Sequence, residues 1–212
     1  MKALVVGLGS IGKRHVANLE KLGFVCSDIA ILRRKDTPNP LGDEFLKDYH
    51  GHRIFHDLDE ALREHKPDVA IVANPNSLHI PAALAAARAG AHLLIEKPLS
   101  HSLDGVDELS AVLKEKDLVG MVAYNLHFHP SLHQVRKWIG DDLWEKGGKI
   151  GKPYSVRAEI AERVSDWHPW EDYHISYAVR SDLGGGVLLT QSHELDYLMW
   201  LFGEPQWVFA AG

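Results

Sequence analysis

The spacing Gly7-Leu8-Gly9-Ser10-Ile11-Gly12 offers a ligand main chain rather than side chains. In a G-x-G-x-x-G loop the first glycine permits a tight turn. The second lets the backbone approach a pyrophosphate, and the third lets the new helix pack closely on the strand before it. Ser10 is the expected N-cap, so amide N–H groups and the positive helix end face the phosphates, with Ile11 and Arg14 in the first turn. A second cluster lies about twenty residues past Gly12, where an NAD-binding fold places an acid on the adenosine ribose. Arg33, Arg34 and Lys35 stand there instead. Cations suit a 2′-phosphate, so NADP is the expected cofactor. NAD is the alternative, with Asp36 serving the ribose or an arginine merely stacking on adenine.

The elements that must position these groups read directly from the apolar runs. Residues 3–6 form an uncharged run, the mark of a strand buried on both faces. Val16, Leu19 and Leu22 repeat at helical spacing and Gly23 stops the helix. Further strands are expected at residues 29–32, 53–55, 68–73, 92–98 and 119–124. Helices are expected at 58–65, 80–89 and 103–116. Strands alternating with helices argue for a parallel, doubly wound α/β sheet. Right-handed crossovers then bring Gly7, Arg33, Asn74 and Lys97 to one sheet edge, where ligands bind. That edge includes the loop Asn74-Pro75-Asn76-Ser77-Leu78-His79 and the strand end Glu96-Lys97-Pro98, and Asn74, Pro75, Asn76, His79, Glu96 and Lys97 are taken as cofactor-facing. After Asn125 the character changes. A helix is expected from Pro130 to Ile139, half-exposed strands at 154–160 and 206–210, and a helix bearing His193 and Asp196 after Gly184-Gly185-Gly186.

Composition narrows the function. The 212 residues carry 29 acidic and 23 basic side chains, a net charge of −6, with no basic stripe interleaved with aromatics. A nucleic-acid partner is not expected. The single cysteine, Cys26, allows no internal disulfide and fits a reducing cytoplasmic setting. No apolar run is long enough for a bilayer, so no membrane partner is expected. His127, His129, His133, His168, His174 and His193 raise the question of a metal. With no cysteine nearby and no H-x-x-x-H helix pair beside a carboxylate, no metal site is expected. Trp167, Trp170 and Tyr173 can stack on a sugar ring, or form a small apolar cluster under their loop.

Gly7 to Arg14, Glu96-Lys97-Pro98, Tyr124-Asn125 with His129-Pro130, and the triple glycine followed by His193 and Asp196 together resemble the Gfo/Idh/MocA family of NAD(P)-dependent oxidoreductases. The stretch from Asp166 to Tyr173 resembles a subgroup tied to sugars of bacterial surface polysaccharides. The resemblance implies a Rossmann domain over residues 1–122. A partial α+β substrate and oligomerisation domain, with a mostly antiparallel sheet, would occupy 123–212. It implies a hydride exchanged with a sugar, cyclitol or nucleotide-sugar carbinol, with Lys97 and His193 beside the reacting hydroxyl and Asn125 near the cofactor. The chemistry agrees. Such a transfer needs a base for the hydroxyl proton and positive charge near the developing alkoxide; a lysine supplies either and a histidine relays the proton.

The chain departs from the family pattern at three places. Thr190 stands where an aspartate is common. His127 replaces the arginine of Tyr-Asn-x-Arg-Phe, and His174 the arginine of Trp-Glu-Asp-Tyr-Arg. With two substrate-facing cations exchanged for histidines, His127, His174 and Thr190 are taken as substrate-facing and a strongly anionic substrate is disfavoured. The resemblance also implies further strands beyond Gly212, a C-terminally shortened domain and, for the full family fold, a homo-oligomer. A non-catalytic dinucleotide-binding or regulatory remnant is the competing reading.

Overall fold

A computed structural model describes residues 1–35, 44–140, 147–167 and 172–211. Among these the strands are β1 (Ala3–Val6), β2 (Ile29–Leu32), β3 (Arg53–Phe55), β4 (Val69–Val72), β5 (His92–Ile95) and β6 (Gly120–Val122). The α-helices are α1 (Ser10–Lys21), α2 (Leu58–His65), α3 (His79–Arg88), α4 (Val106–Glu115), α5 (Pro130–Ile139), α6 (Val187–Thr190) and α7 (His193–Phe202). The six strands make one sheet in the order β3-β2-β1-β4-β5-β6, parallel throughout. This is the doubly wound α/β arrangement implied by the alternation of strands and helices.

The β1 run is uncharged because both its faces are covered. Leu4 and Val6 join Ala30, Ala70, Val72 and the alanine-rich side of α3 in one core cluster. Ala3 and Val5 join Ile29, Ile31, Ile71 and the Val16–Leu19 stripe of α1 in the other. Helix ends follow local chemistry. Asp57 caps α2 by accepting from the Glu60 N–H at 2.8 Å. α4 begins at Val106, three residues later than the apolar pattern suggested, because Gly105 is in the left-handed region at φ 76°. The helix expected after the triple glycine is two helices, α6 and α7, separated by Gln191 and Ser192.

Contacts divide the chain into two compact units, Met1–Ala123 with Val164–Thr190, and Tyr124–Arg163 with Gln191–Gly212. In the second unit α5 and α7 share a small core of Ile139 and Leu201, backed by Leu132, Val135, Tyr197 and Trp200. His129 caps α5, its Nδ1 accepting from the Ser131 N–H at 3.2 Å, and Pro130 opens the helix.

The strands expected at residues 154–160 and 206–210 do not form; both stretches are non-regular and solvent-exposed. The pairing found in this unit among the described residues is a single antiparallel bridge, Gly148 to Gly151. Alternation gives a segment the right faces for a sheet, but a strand exists only when another strand takes its hydrogen bonds, and no described strand lies against either. Amide hydrogen exchange should show the contrast. Protection is expected to be strong at Ala3–Val6, Val69–Val72 and His92–Ile95, and weak across residues 154–160 and 206–210. Equal protection in a dilute monomer would show that those two stretches are stably paired in solution.

Candidate functional site

The C-terminal edge of the sheet is built by the ends of β1, β2, β4 and β5. The Gly7 N–H donates to Leu32 O at 3.0 Å and Ala73 N–H to Val6 O at 2.8 Å, so the turn after β1 stays tied to both flanking strands. Gly7 has φ 101°, and a Cβ there would meet Ala73 O at 2.6 Å. A Cβ on Gly12 would meet Gly7 O at 2.1 Å, which is why the first turn of α1 can lie on the strand end. Gly9 is different: a Cβ would meet nothing within 4 Å. The first and third glycines are required by the protein's own packing, while the second faces open space.

The cap of α1 is Gly9, not Ser10, which is the first helical residue; no side chain caps this end and its first turn has no acid. Among the described residues, the helix start therefore presents main-chain donors and positive dipole with no capping side chain and no first-turn acid against them. Ile11 is half-buried and Arg14 exposed. Of the cations after β2, Arg33 is 8% exposed, while Arg34 and Lys35 are on the surface. Asp36 lies outside the described residues.

The loop after β4 turns largely inward. Asn76 is buried and its Nδ2 donates to Gly184 O at 2.8 Å. The Asn74 Nδ2 donates to Leu78 O at 3.2 Å, while its buried Oδ1 has no hydrogen-bond partner among the described residues. Pro75 is half-buried between them. His79 is fully buried, its Nδ1 2.9 Å from Pro98 O and its Nε2 2.9 Å from Asn74 O. Its ring spans the ends of β4 and β5 and faces main chain at both nitrogens. Burial lowers the His79 pKa, with the two carbonyl contacts pulling the other way.

Glu96 and Lys97 follow β5. The Glu96 carboxylate takes His15 of α1 at 2.8 Å on Oε1 and the Lys97 N–H at 3.2 Å on Oε2. Burial raises the Glu96 pKa, but the hydrogen bond and charge of His15, together with the N–H and charge of Lys97, outweigh it and the net shift is downward. Lys97 is half-buried and its Nζ donates to Thr190 O at 2.6 Å, at the last residue of α6. Thr190 itself is buried, its hydroxyl donating to Gly186 O at 2.8 Å. The sequence reading missed the His15–Glu96 contact, which joins residues 81 apart; the only signal was a histidine one turn past Gly12.

The aromatic loop groups with the first unit. Trp167 is half-buried, Tyr173 and His174 are exposed with ring centroids 3.9 Å apart, and His174 Nδ1 lies 2.8 Å from Asp172 Oδ1. Trp170 and His168 lie outside the described residues. In the second unit, Asn125 is exposed in a short turn, and His127 packs on the Trp200 ring at 4.6 Å with Nε2 2.7 Å from Asp196 Oδ2. His193 starts α7 with the Tyr124 ring edge-on at 5.8 Å.

A glycine turn under an uncapped helix, an orphaned Asn74 oxygen and a tethered lysine on one parallel-sheet edge define a class of protein. Residues 1–124 match the model of the oxidoreductase family with an NAD-binding Rossmann fold, Gfo/Idh/MocA, and residues 143–212 match its C-terminal domain. The chain belongs to this family. It is 27% identical, over its whole length, to myo-inositol 2-dehydrogenase of Thermotoga maritima, covering 58% of that protein. Over 65% of its length it is 31% identical to levoglucosan dehydrogenase of Pseudarthrobacter phenanthrenivorans, covering 34% of it. The WlbA dehydrogenase of Thermus thermophilus, solved with NAD and UDP-GlcNAcA, matches 96% of the chain at 25% identity with a TM-score of 0.70, over 64% of its own length. The chain thus spans about half the length of the curated relatives it matches. Among the described residues no helix is long and apolar enough to cross a membrane.

Proposed function

We propose that this Gfo/Idh/MocA chain is the cofactor half and part of the substrate half of an NAD(P)-dependent oxidoreductase acting on a sugar, cyclitol or nucleotide-linked sugar. The observation that carries the reading is Lys97, half-buried at the edge that holds the glycine turn, with its ammonium fixed on Thr190 O. The relatives' names point to the same substrate class. Residues 1–122 are read as the dinucleotide domain and 123–212 as part of the substrate and oligomerisation domain. A cytoplasmic setting, and self-association of the complete fold, belong to the same reading.

The residues fit a dinucleotide. Gly9 leaves room at the start of α1, where the N–H groups of Ser10, Ile11 and Gly12 would take the pyrophosphate, and Asn74 Oδ1 is a buried acceptor in need of a donor. The nicotinamide, when bound, supplies the hydride carrier. The protein's part is to hold the substrate hydroxyl and manage its proton. Lys97 places a positive charge where alkoxide character develops, and His193 accepts or returns the proton. Glu96, kept anionic by His15, holds the Lys97 amide and so fixes where that side chain departs from the strand. His127, Trp167, Trp170, Tyr173 and His174 are proposed to line the substrate by hydroxyl hydrogen bonds and ring stacking. Assaying the chain against a panel of cyclitols, sugars and nucleotide sugars, with nicotinamide fluorescence as the readout, tests this. A folded, dinucleotide-binding protein inert to the whole panel supports the competing reading of a non-catalytic remnant, which Thr190 in place of the family's common aspartate favours.

For the cofactor, NADP is the proposed choice, on the exposed Arg34 and Lys35 and on Arg33 at the end of β2. NADPH is expected to bind about tenfold more tightly than NADH, and Arg34→Ala to remove most of that difference. NADH binding at least as tightly as NADPH in the parent would reverse the assignment to NAD.

A further inference from the structure

At the opposite, N-terminal edge of the same sheet, Glu20 and Cys26, six residues apart, meet His52 from a later loop. Glu20 lies in the last turn of α1, Cys26 in the turn that leads into β2, and His52 immediately before β3. Their donor atoms all lie within 4.8 Å of one another. Cys26 Sγ is 3.7 Å and His52 Nε2 3.3 Å from the same Glu20 oxygen, Oε1. Metal–ligand bonds of about 2.0–2.3 Å on a tetrahedral ion place neighbouring donor atoms roughly 3.3–3.8 Å apart. The two separations from Glu20 fall in that range, and small side-chain rotations bring the third pair into it.

His52 supplies a second and independent observation. Its side chain is 3% exposed, yet neither ring nitrogen makes a hydrogen bond. The Tyr49 ring stands edge-on to it at 5.5 Å, and the His52 N–H donates to Tyr49 O at 2.9 Å, so the ring is held where it is. Among the described residues Nδ1 meets no partner and Nε2 has only the Glu20 carboxylate at 3.3 Å, outside hydrogen-bond geometry, so the buried imidazole is under-satisfied unless something else meets it. A carboxylate at the C-terminal end of a helix is likewise at the wrong pole of the dipole and gains from a nearby cation.

We propose that Glu20, Cys26 and His52 form a binding site for a divalent transition-metal ion of the zinc type. A thiolate, a carboxylate and a neutral imidazole together carry two negative charges, which balance a divalent cation, and the sulfur and nitrogen donors select zinc or cobalt over magnesium or calcium. On binding, the Cys26 thiol releases its proton to solvent as the metal–sulfur bond forms. Three protein ligands leave one position for water. The ion pins the end of α1 to the entries of β2 and β3, away from the glycine turn, so it braces the sheet rather than entering the proposed reaction. Sequence spacing could not show this site, since its ligands join only through the pairing of β1, β2 and β3.

Cobalt and zinc salts alone are the probes, on the 212-residue chain. One Co²⁺ per chain is expected, with the near-ultraviolet thiolate-to-cobalt charge-transfer band, displaced by Zn²⁺. Cys26→Ser should abolish the band, and His52→Gln should weaken Co²⁺ binding at least about tenfold. In the unmodified chain, Zn²⁺ should slow alkylation of Cys26 about tenfold, a readout that needs no variant to fold. Because Cys26 is the sole cysteine, the band can come from nowhere else. Absence of the band, an equal band in folded His52→Gln, or alkylation unaffected by Zn²⁺ would overturn the site and leave a Glu20–His52 ion pair. Thermal stabilisation by Zn²⁺ without the band would likewise count against it, as binding to other histidines.

Discussion

In Lys97→Met, turnover of whichever panel substrate the parent accepts should fall by about a hundredfold or more, while dinucleotide affinity changes little. The methionine keeps the length and apolar stem of the lysine but removes the charge and the proton. If the ammonium acts on the developing alkoxide, its loss is felt in the transition state and appears mainly in kcat. The hydrogen bond from the residue-97 N–H to the Glu96 carboxylate does not depend on the side chain at 97, so the strand end should keep its shape. Near-normal turnover in Lys97→Met would remove the residue from the reaction and return the proposal to its non-catalytic alternative.

The second large effect is on the glycine turn, where two substitutions of the same kind should separate. Gly12→Ala puts a methyl 2.1 Å from Gly7 O and 2.9 Å from Gly7 C, both main-chain atoms that cannot rotate away. Helix α1 must shift off the strand end. Stability should fall by about 3 kcal/mol, and dinucleotide affinity on the order of a hundredfold, because the donors at the helix start move with it. Gly9→Ala meets no protein atom within 4 Å and sits at φ −73°, ordinary for alanine. It should melt like the parent yet bind dinucleotide poorly, since the methyl occupies the space proposed for the pyrophosphate. Thermal denaturation and nicotinamide fluorescence titration read the two effects apart. Unimpaired binding in Gly9→Ala would mean the ligand does not approach this turn.

Much of the first unit was legible because its signals are local. The uncharged run of β1, the Val16–Leu19 helical repeat and the glycine spacing each act over a few residues, and the strands and helices they announce formed within a few residues of their expected places. The errors are also physical. Ser10 has the side chain of a cap, but the chain turns at Gly9, so the cap falls one residue earlier. His79 follows a loop at the ligand edge, and only the folded chain shows its ring buried between Asn74 O and Pro98 O. Residues 154–160 alternate as a strand should, but alternation carries no information about a partner. Contacts that span the sheet, such as His15 with Glu96 or the Glu20–Cys26–His52 group, depend on strand order and leave no trace in spacing.

The acceptor of the Lys97 ammonium is the carbonyl of Thr190, not its side chain. Every amino acid carries that oxygen, so the lysine's anchor is indifferent to which residue follows Leu189. The hydroxyl of Thr190 is engaged elsewhere, on Gly186 O. The bond from Lys97 to residue 190 therefore does not use the side chain there, and an acid can be absent from position 190 without that bond being lost. The side chain at 190 and the anchor of the lysine are thus separable traits, open to change one at a time.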